Sequence, residues 1–223
     1  MKKSINVLDY TETILKNVQK GVLLTTAADG RINTMAISWG TLGIEWGRLL
    51  FTTFVRTGRF TRELLDKNGE FTVNIPMRGS DPVLVGKCGT CSGRDADKFK
   101  QFGLTPEPGE KVAVPGIREY PLTLECRVIY RQEQDRAAMP AEVIAECYPE
   151  NVGSENWGAN RDIHIAYVGE IVNAYIIGNE GALDDDDEFD DNDKLDHVKC
   201  GGGILDEDDF DKIDDEDERT GKP

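Results

Sequence analysis

A chain of 223 residues with 39% hydrophobic content has room for one sizeable core, and its net charge of −16 is unevenly placed. After residue 180 lie 19 of the 42 acidic residues but only 5 of the 26 basic ones, so the first 180 residues carry a net charge of −2. A near-neutral body followed by a polyanionic tail disfavours nucleic-acid binding, no apolar run reaches the roughly 18–20 residues of a membrane span, and five cysteines do not make a secreted disulfide framework. The Met-Lys-Lys start lacks an apolar signal core, so the expectation is a cytoplasmic protein with no membrane or nucleic-acid partner.

Helical spacing of Leu8, Thr11, Leu15 and Val18 predicts a helix over 7–20, stopped by Gly21. Two β-rich runs, 21–26 and 32–38, are joined through Asp29-Gly30, a hairpin signal. A third strand, 49–55, follows a turn at Gly47. Residues 59–67 read as a short helix closed by Asn68-Gly69, and 71–75 as a strand ended by Pro76. Ser92 is expected to cap a helix over 93–102, with Gly103 as its stop. Leu122, Leu124, Cys126, Val128 and Tyr130 alternate with polar residues, predicting a strand buried on one face. The run 163–177 reads as a long strand with a bend or bulge at Gly169. Hairpin-linked strands with few, short helices predict a mainly β fold built as an antiparallel barrel.

From Gly181 the composition changes to the acidic runs 184–191 and 206–218, separated by Gly201-Gly-Gly203. Such a segment cannot bury enough apolar surface to offset its ordering entropy, so 1–180 is expected to be the domain and 181–223 a disordered acidic tail. An EF-hand loop needs a Gly at its sixth position, which neither acidic run supplies.

The chemistry-bearing residues cluster in the body. Arg56 ends a strand, and Gly58, Arg59 and Thr61 lead into a helix, where guanidinium groups, a hydroxyl and helix N–H groups can meet one anion. Ser92-Gly93-Arg94, with Lys98 beyond, is read as a second helix start of the same kind. Cys88 and Cys91 form a Cys-x-x-Cys pair, which suits a redox dithiol or half of a zinc site. No second close pair completes a zinc set, so no metal is expected, and the pair does not open a helix in a βαβ unit as a thioredoxin motif would. Trp39 is either core or a wall for a flat ring. His164, in a β-rich run, is a structural histidine or a weak catalytic candidate. No dinucleotide fingerprint, Walker loop or nucleophile elbow is present.

Three segments, Asn33-Thr-Met-Ala-Ile-Ser-Trp-Gly40, Phe54-Val-Arg-Thr-Gly-Arg-Phe-Thr61 and Cys88-Gly-Thr-Cys-Ser-Gly-Arg-Asp-Ala-Asp-Lys-Phe99, resemble those of the flavin reductase-like, FMN-binding split-barrel family, in its flavoredoxin branch, over roughly 10–178. Cys91 departs from the histidine usual at that place in the family. The resemblance implies a split β-barrel homodimer with FMN near the subunit interface, the flavin carrying the redox chemistry. It implies that Asn33, Met35, Ser38 and Trp39 surround the ring and ribityl chain. Arg56, Arg59, Thr61 and Lys98 then hold phosphate or ribityl oxygens, and Cys88, Gly89 and Thr90 line the remaining wall. Two functions fit that site: an NAD(P)H-dependent flavin reductase passing a hydride to flavin N5, with NADH or NADPH as co-substrate, and a flavoredoxin-like electron carrier with a redox protein partner; a third, non-redox alternative is a barrel that has lost its flavin and serves only as an interaction module. Retention of both basic clusters argues against the third.

Overall fold

The computed structural model describes residues 1–77, 82–150 and 162–178. The expected acidic tail, 181–223, lies outside the described residues. Along the chain run β1 (Lys2–Ser4), a 3-10 turn (Val7–Tyr10), α1 (Thr11–Lys20), β2 (Val22–Ala28), β3 (Arg31–Ile37), β4 (Gly40–Glu45), β5 (Arg48–Arg56), α2 (Phe60–Asn68) and β6 (Glu70–Ile75). Then come α3 (Pro82–Thr90), α4 (Lys98–Gln101), the short pair β7 (Pro106–Glu107) and β8 (Gly116–Ile117), β9 (Leu122–Glu133), α5 (Ala141–Cys147) and β10 (His164–Ile177). Among the described residues no helix is long and apolar enough to cross a membrane.

Among the described residues every strand pairing is antiparallel, and the main sheet runs β3-β2-β6-β9-β10-β5-β4, with β1 added on β10. The mainly β antiparallel barrel read from the sequence is the fold found. Asp29 and Gly30 both take positive φ in the β2–β3 hairpin, the geometry that matches strand twist. β10 shifts register between Val168 and Gly169. There the ring of Phe71 packs so closely that a Cβ on residue 169 would stand 2.5 Å from its Cζ, so only glycine fits.

β2 shows how the sequence builds two layers. Val22 and Leu24 point into the barrel with Ile14, Phe51, Val73 and Leu124. Leu23, one residue out of phase, points to the opposite face, where α3, α4 and the following loop lay Val85, Cys88, Phe99, Leu104 and Tyr120 over it. That second layer positions the site. Its inner edge is polar: Asn74 Nδ2 donates to Leu23 O (3.2 Å) and Thr25 Oγ1 (3.1 Å), and its Oδ1 accepts Ile117 N–H (3.0 Å). Glu125, fully buried, accepts the N–H groups of Glu110 and Lys111, each at 2.7 Å, tying the loop before β8 to the sheet.

Three expectations are corrected. The helix expected over 93–102 is only its last turn, α4. Arg31 Nη2 takes the carbonyl of Gly93 (2.6 Å), which a helix would have used, and Asp97 caps the restart by accepting Lys100 N–H (3.3 Å). Leu122–Cys126 is buried on both faces, because the tied loop covers the outer one; the strand becomes exposed from Arg127. The chain also forms β4, α3 and α5, which the periodicity did not reveal.

Candidate functional site

The turn after β5 brings the start of α2 against β3 and the end of α3, and between them lies a cavity of about 250 Å³. β3 contributes Asn33, Met35 and Ala36; the turn and α2 contribute Gly58, Arg59, Phe60 and Thr61; the end of α3 gives Cys88, Gly89 and Thr90. Cys91, Ser92, Gly93, Arg94 and Lys98 close the remaining side.

The polar groups are held rather than merely present. Asn33 and Thr61 are buried, and Asn33 Nδ2 donates to Thr61 Oγ1 at 2.8 Å, joining β3 to the first turn of α2. Arg59 occupies the N-cap of α2 in extended conformation with no side-chain cap, so the positive end of the helix faces the cavity. Lys98 is 4% exposed, and its Nζ donates to Cys88 O at 2.5 Å. Burial, and more weakly the charge of Arg59, pull its ammonium below the usual lysine range, while the two cysteines oppose that shift. Arg31 and Arg94 lie over the ring of Phe60, at 4.5 and 5.7 Å from its centroid, and Arg94 pairs with Glu63. Asp162, at the foot of β10, accepts the Gly58 N–H at 2.7 Å and so fixes the turn ahead of α2. A buried ammonium, an exposed guanidinium, hydroxyls and a helix N-terminus form a donor set suited to a phosphate. Met35, Ala36 and Cys88 leave the opposite side less polar.

Of the residues singled out from the sequence, Asn33, Met35, Arg59, Thr61, Cys88, Gly89, Thr90 and Lys98 line this one cavity. Ser38, Trp39 and Arg56 do not. Ser38 and Trp39 form the link between β3 and β4, half-buried. Arg56 is 5% exposed, and its guanidinium turns away from the cavity: Nη1 donates to Asp162 O (2.7 Å) and Nη2 to Cys147 O (3.0 Å), and the group lies over Trp39 and Tyr148. Burial first pulls it below the ordinary arginine range, against the opposing pull of Asp162. Its strand position, one pleat past Val55, aims it at the start of β10 instead of at α2, and Arg56 pairs in register with His164.

His164 belongs to that second cluster. Its ring lies 4.7 Å from Trp39, centroid to centroid, and Nδ1 shares a hydrogen bond of 2.8 Å with Tyr148 OH. Burial, then the charges of Arg56 and Arg59, push its pKa down to about 3, so the imidazole is neutral near pH 7. The second anion-binding helix start read at Ser92 is not a helix start: Ser92 Oγ caps only a turn, accepting Arg94 N–H at 3.2 Å. Arg94 and Ser92 still reach the cavity, through the loop. Cys88 and Cys91 are both free, and among the described residues no group of His, Cys, Asp and Glu is placed to hold a metal ion.

A family model described as the flavin reductase like domain matches residues 15–192. A curated relative, an uncharacterized protein of Archaeoglobus fulgidus, is 30% identical over 148 residues, 63% of this chain and 75% of its own. Among solved structures, the flavoredoxin of Desulfovibrio vulgaris is 25% identical, with a TM-score of 0.54 over 74% of this chain and 73% of that one. A flavoredoxin from Methanosarcina acetivorans is 27% identical, with a TM-score of 0.50 over 74% and 71%. An FMN-binding domain of a flavin reductases-like enzyme from Shewanella baltica, 17% identical with a TM-score of 0.54 over 82% and 83%, shares the fold.

Proposed function

The chain belongs to the flavin reductase-like family, and on that premise we propose that it is an FMN-dependent oxidoreductase of the NAD(P)H:flavin reductase type. One observation carries the reading: Arg59, Thr61, Ser92, Arg94 and Lys98 converge with the uncapped start of α2 on one cavity. Lys98, Arg59 and Thr61, with the first N–H groups of α2, would hold the phosphate. Asn33, Met35 and the Cys88–Thr90 wall would face the ribityl chain and ring, with Ser38 and Trp39 beyond them. Arg56 is reassigned to support: it braces Asp162, which in turn holds Gly58. The bound flavin would supply the redox chemistry, taking a hydride from NADH or NADPH at N5 and delivering two electrons to an acceptor. The protein's own part is to bind, orient and neutralise the phosphate charge. We also place this chain in a homodimer, for which the exposed Ile44, Trp46 and Tyr130 offer an apolar surface.

A second reading, a flavoredoxin-like electron carrier with a redox protein partner, is favoured by the two solved flavoredoxins at 25% and 27% identity. NADH and NADPH oxidation, measured with and without added FMN, separates the two. Stimulated oxidation of either nucleotide is expected. Tight FMN binding without nicotinamide oxidation would favour the carrier, and absence of both would overturn the flavin reading itself.

A further inference from the structure

The cavity wall carries two thiols for which flavin binding has no chemical use. Cys88 sits in the last turn of α3, 0% exposed and packed with Leu23, Val85, Phe99 and Tyr120. Cys91 follows just past the helix, partly exposed, and both line the same cavity as free thiols. Lys98 is their shared neighbour: its Nζ is bonded to Cys88 O, its charge favours the Cys88 thiolate against the effect of burial, and it lines the same cavity as Cys91. The other described free thiol, Cys126, is enclosed in the barrel core, with no such neighbour and no exposure.

We propose that Cys88 and Cys91 are a redox-active dithiol that exchanges with small aliphatic disulfides of the glutathione type and closes to an internal disulfide. Cys91 directly follows Thr90, the last residue of α3, and at helical rise and radius two Cα atoms three residues apart stand roughly 5 Å from each other, inside the window of about 4.4–6.8 Å that a disulfide spans. Gly89 and Thr90 between them are exposed, so the link can adjust without moving the core. Exposure divides the roles. Cys91, as thiolate, attacks one sulfur of the small disulfide, forming a mixed disulfide and expelling one small thiolate. The Cys88 sulfur then attacks Cys91 Sγ and expels the second. The protons given up by the two cysteines end on the two small thiols, so one disulfide is reduced as the Cys88–Cys91 bond forms. Burial pushes the Cys88 thiol up to about 12, which suits a resolving and not an attacking sulfur.

The test needs no flavin, so its outcome is separate from that of the proposed function. The full chain is treated with oxidised glutathione, quenched with N-ethylmaleimide and digested with trypsin without reduction. Lys87 and Arg94 bracket Cys88-Gly-Thr-Cys-Ser-Gly-Arg94, so both cysteines fall on one peptide and every other cysteine elsewhere. The expected peptide is lighter by two hydrogens and takes up no maleimide. In Cys88→Ser the reaction should stop at a glutathione adduct on Cys91, and in Cys91→Ser no adduct should form at Cys88. A wild-type peptide that takes up two maleimides, or that stops at the Cys91 adduct, overturns the proposal.

Discussion

The side-chain oxygen of Asn33 occupies the space that a side chain at Gly93 would need: a Cβ there would stand 1.9 Å from Asn33 Oδ1. That contact locks the loop after α3 against β3 while Asn33 also donates to Thr61, so one residue sets the spacing of three walls of the cavity. Gly93→Ala should therefore cost about 1–3 kcal/mol of stability through overpacking and weaken flavin binding. Urea midpoints and a flavin titration check this; an unchanged midpoint would mean that Asn33 moves aside freely.

Arg56→Ala should act on the fold. It strips the half-buried Asp162 O and the buried Cys147 O of a charged donor, at about 1.5–3 kcal/mol for each hydrogen bond to a charged group, and loosens the turn before α2. FMN and riboflavin affinities should fall together. A loss confined to FMN would return Arg56 to the phosphate.

His164 gives the acid limb of stability a definite sign. The unfolded chain takes up a proton near pH 6.5, whereas the folded one resists until about 3. Between those values the unfolded state binds more protons, so stability is intact above about 6.5 and falls as pH falls. By about pH 5 this contribution should reach about 2 kcal/mol. Urea midpoints at about pH 7.5 and about pH 5 should therefore separate further in wild type than in His164→Gln. Equal separations would show that the folded protein protonates His164 at an ordinary pH.

Glu125→Ala should release the loop before β8. Two loop N–H groups lose a charged, fully buried acceptor, at about 1.5–3 kcal/mol for each hydrogen bond to a charged group, and amide exchange should rise at Glu110 and Lys111. Unchanged protection there would show that the loop is held by Asn74 and Thr72 instead.

The barrel was legible because its strands announce themselves locally: Asp29-Gly30 sets a hairpin, and the β-branched runs around Leu24 and Val73 match what is buried. β4 was hidden because Gly40 and Gly43 dilute its pattern and because the turn closing it puts Trp46, not Asn or Asp, in the left-handed region at φ 53°. α3 was hidden because Val83, Val85, Gly86 and Gly89 are poor helix formers. It forms because Val85 and Cys88, three residues apart, bury one face over Leu23. Pro82 at its first position was the available signal. That Asn33 and Met35 on β3 and Arg59 and Thr61 at α2 would come together was readable from local chemistry and family resemblance, and they line one cavity, whereas Arg56 lies outside that lining because its direction depends on β10 pairing, a contact more than 100 residues away in sequence. Asp162 left no signal at all, since its role exists only once β10 lies beside β5.

Parallel titrations of flavin-free protein with FMN and with riboflavin, repeated on Lys98→Met, test the phosphate site most directly. One charge-assisted phosphate contact is worth about 1.5–3 kcal/mol, or about ten- to hundredfold in affinity. FMN should bind at least that much tighter than riboflavin, and Lys98→Met should narrow the gap chiefly by weakening FMN. Equal affinity for the two flavins, or no binding of either, would contradict the assignment of this cavity to a flavin phosphate.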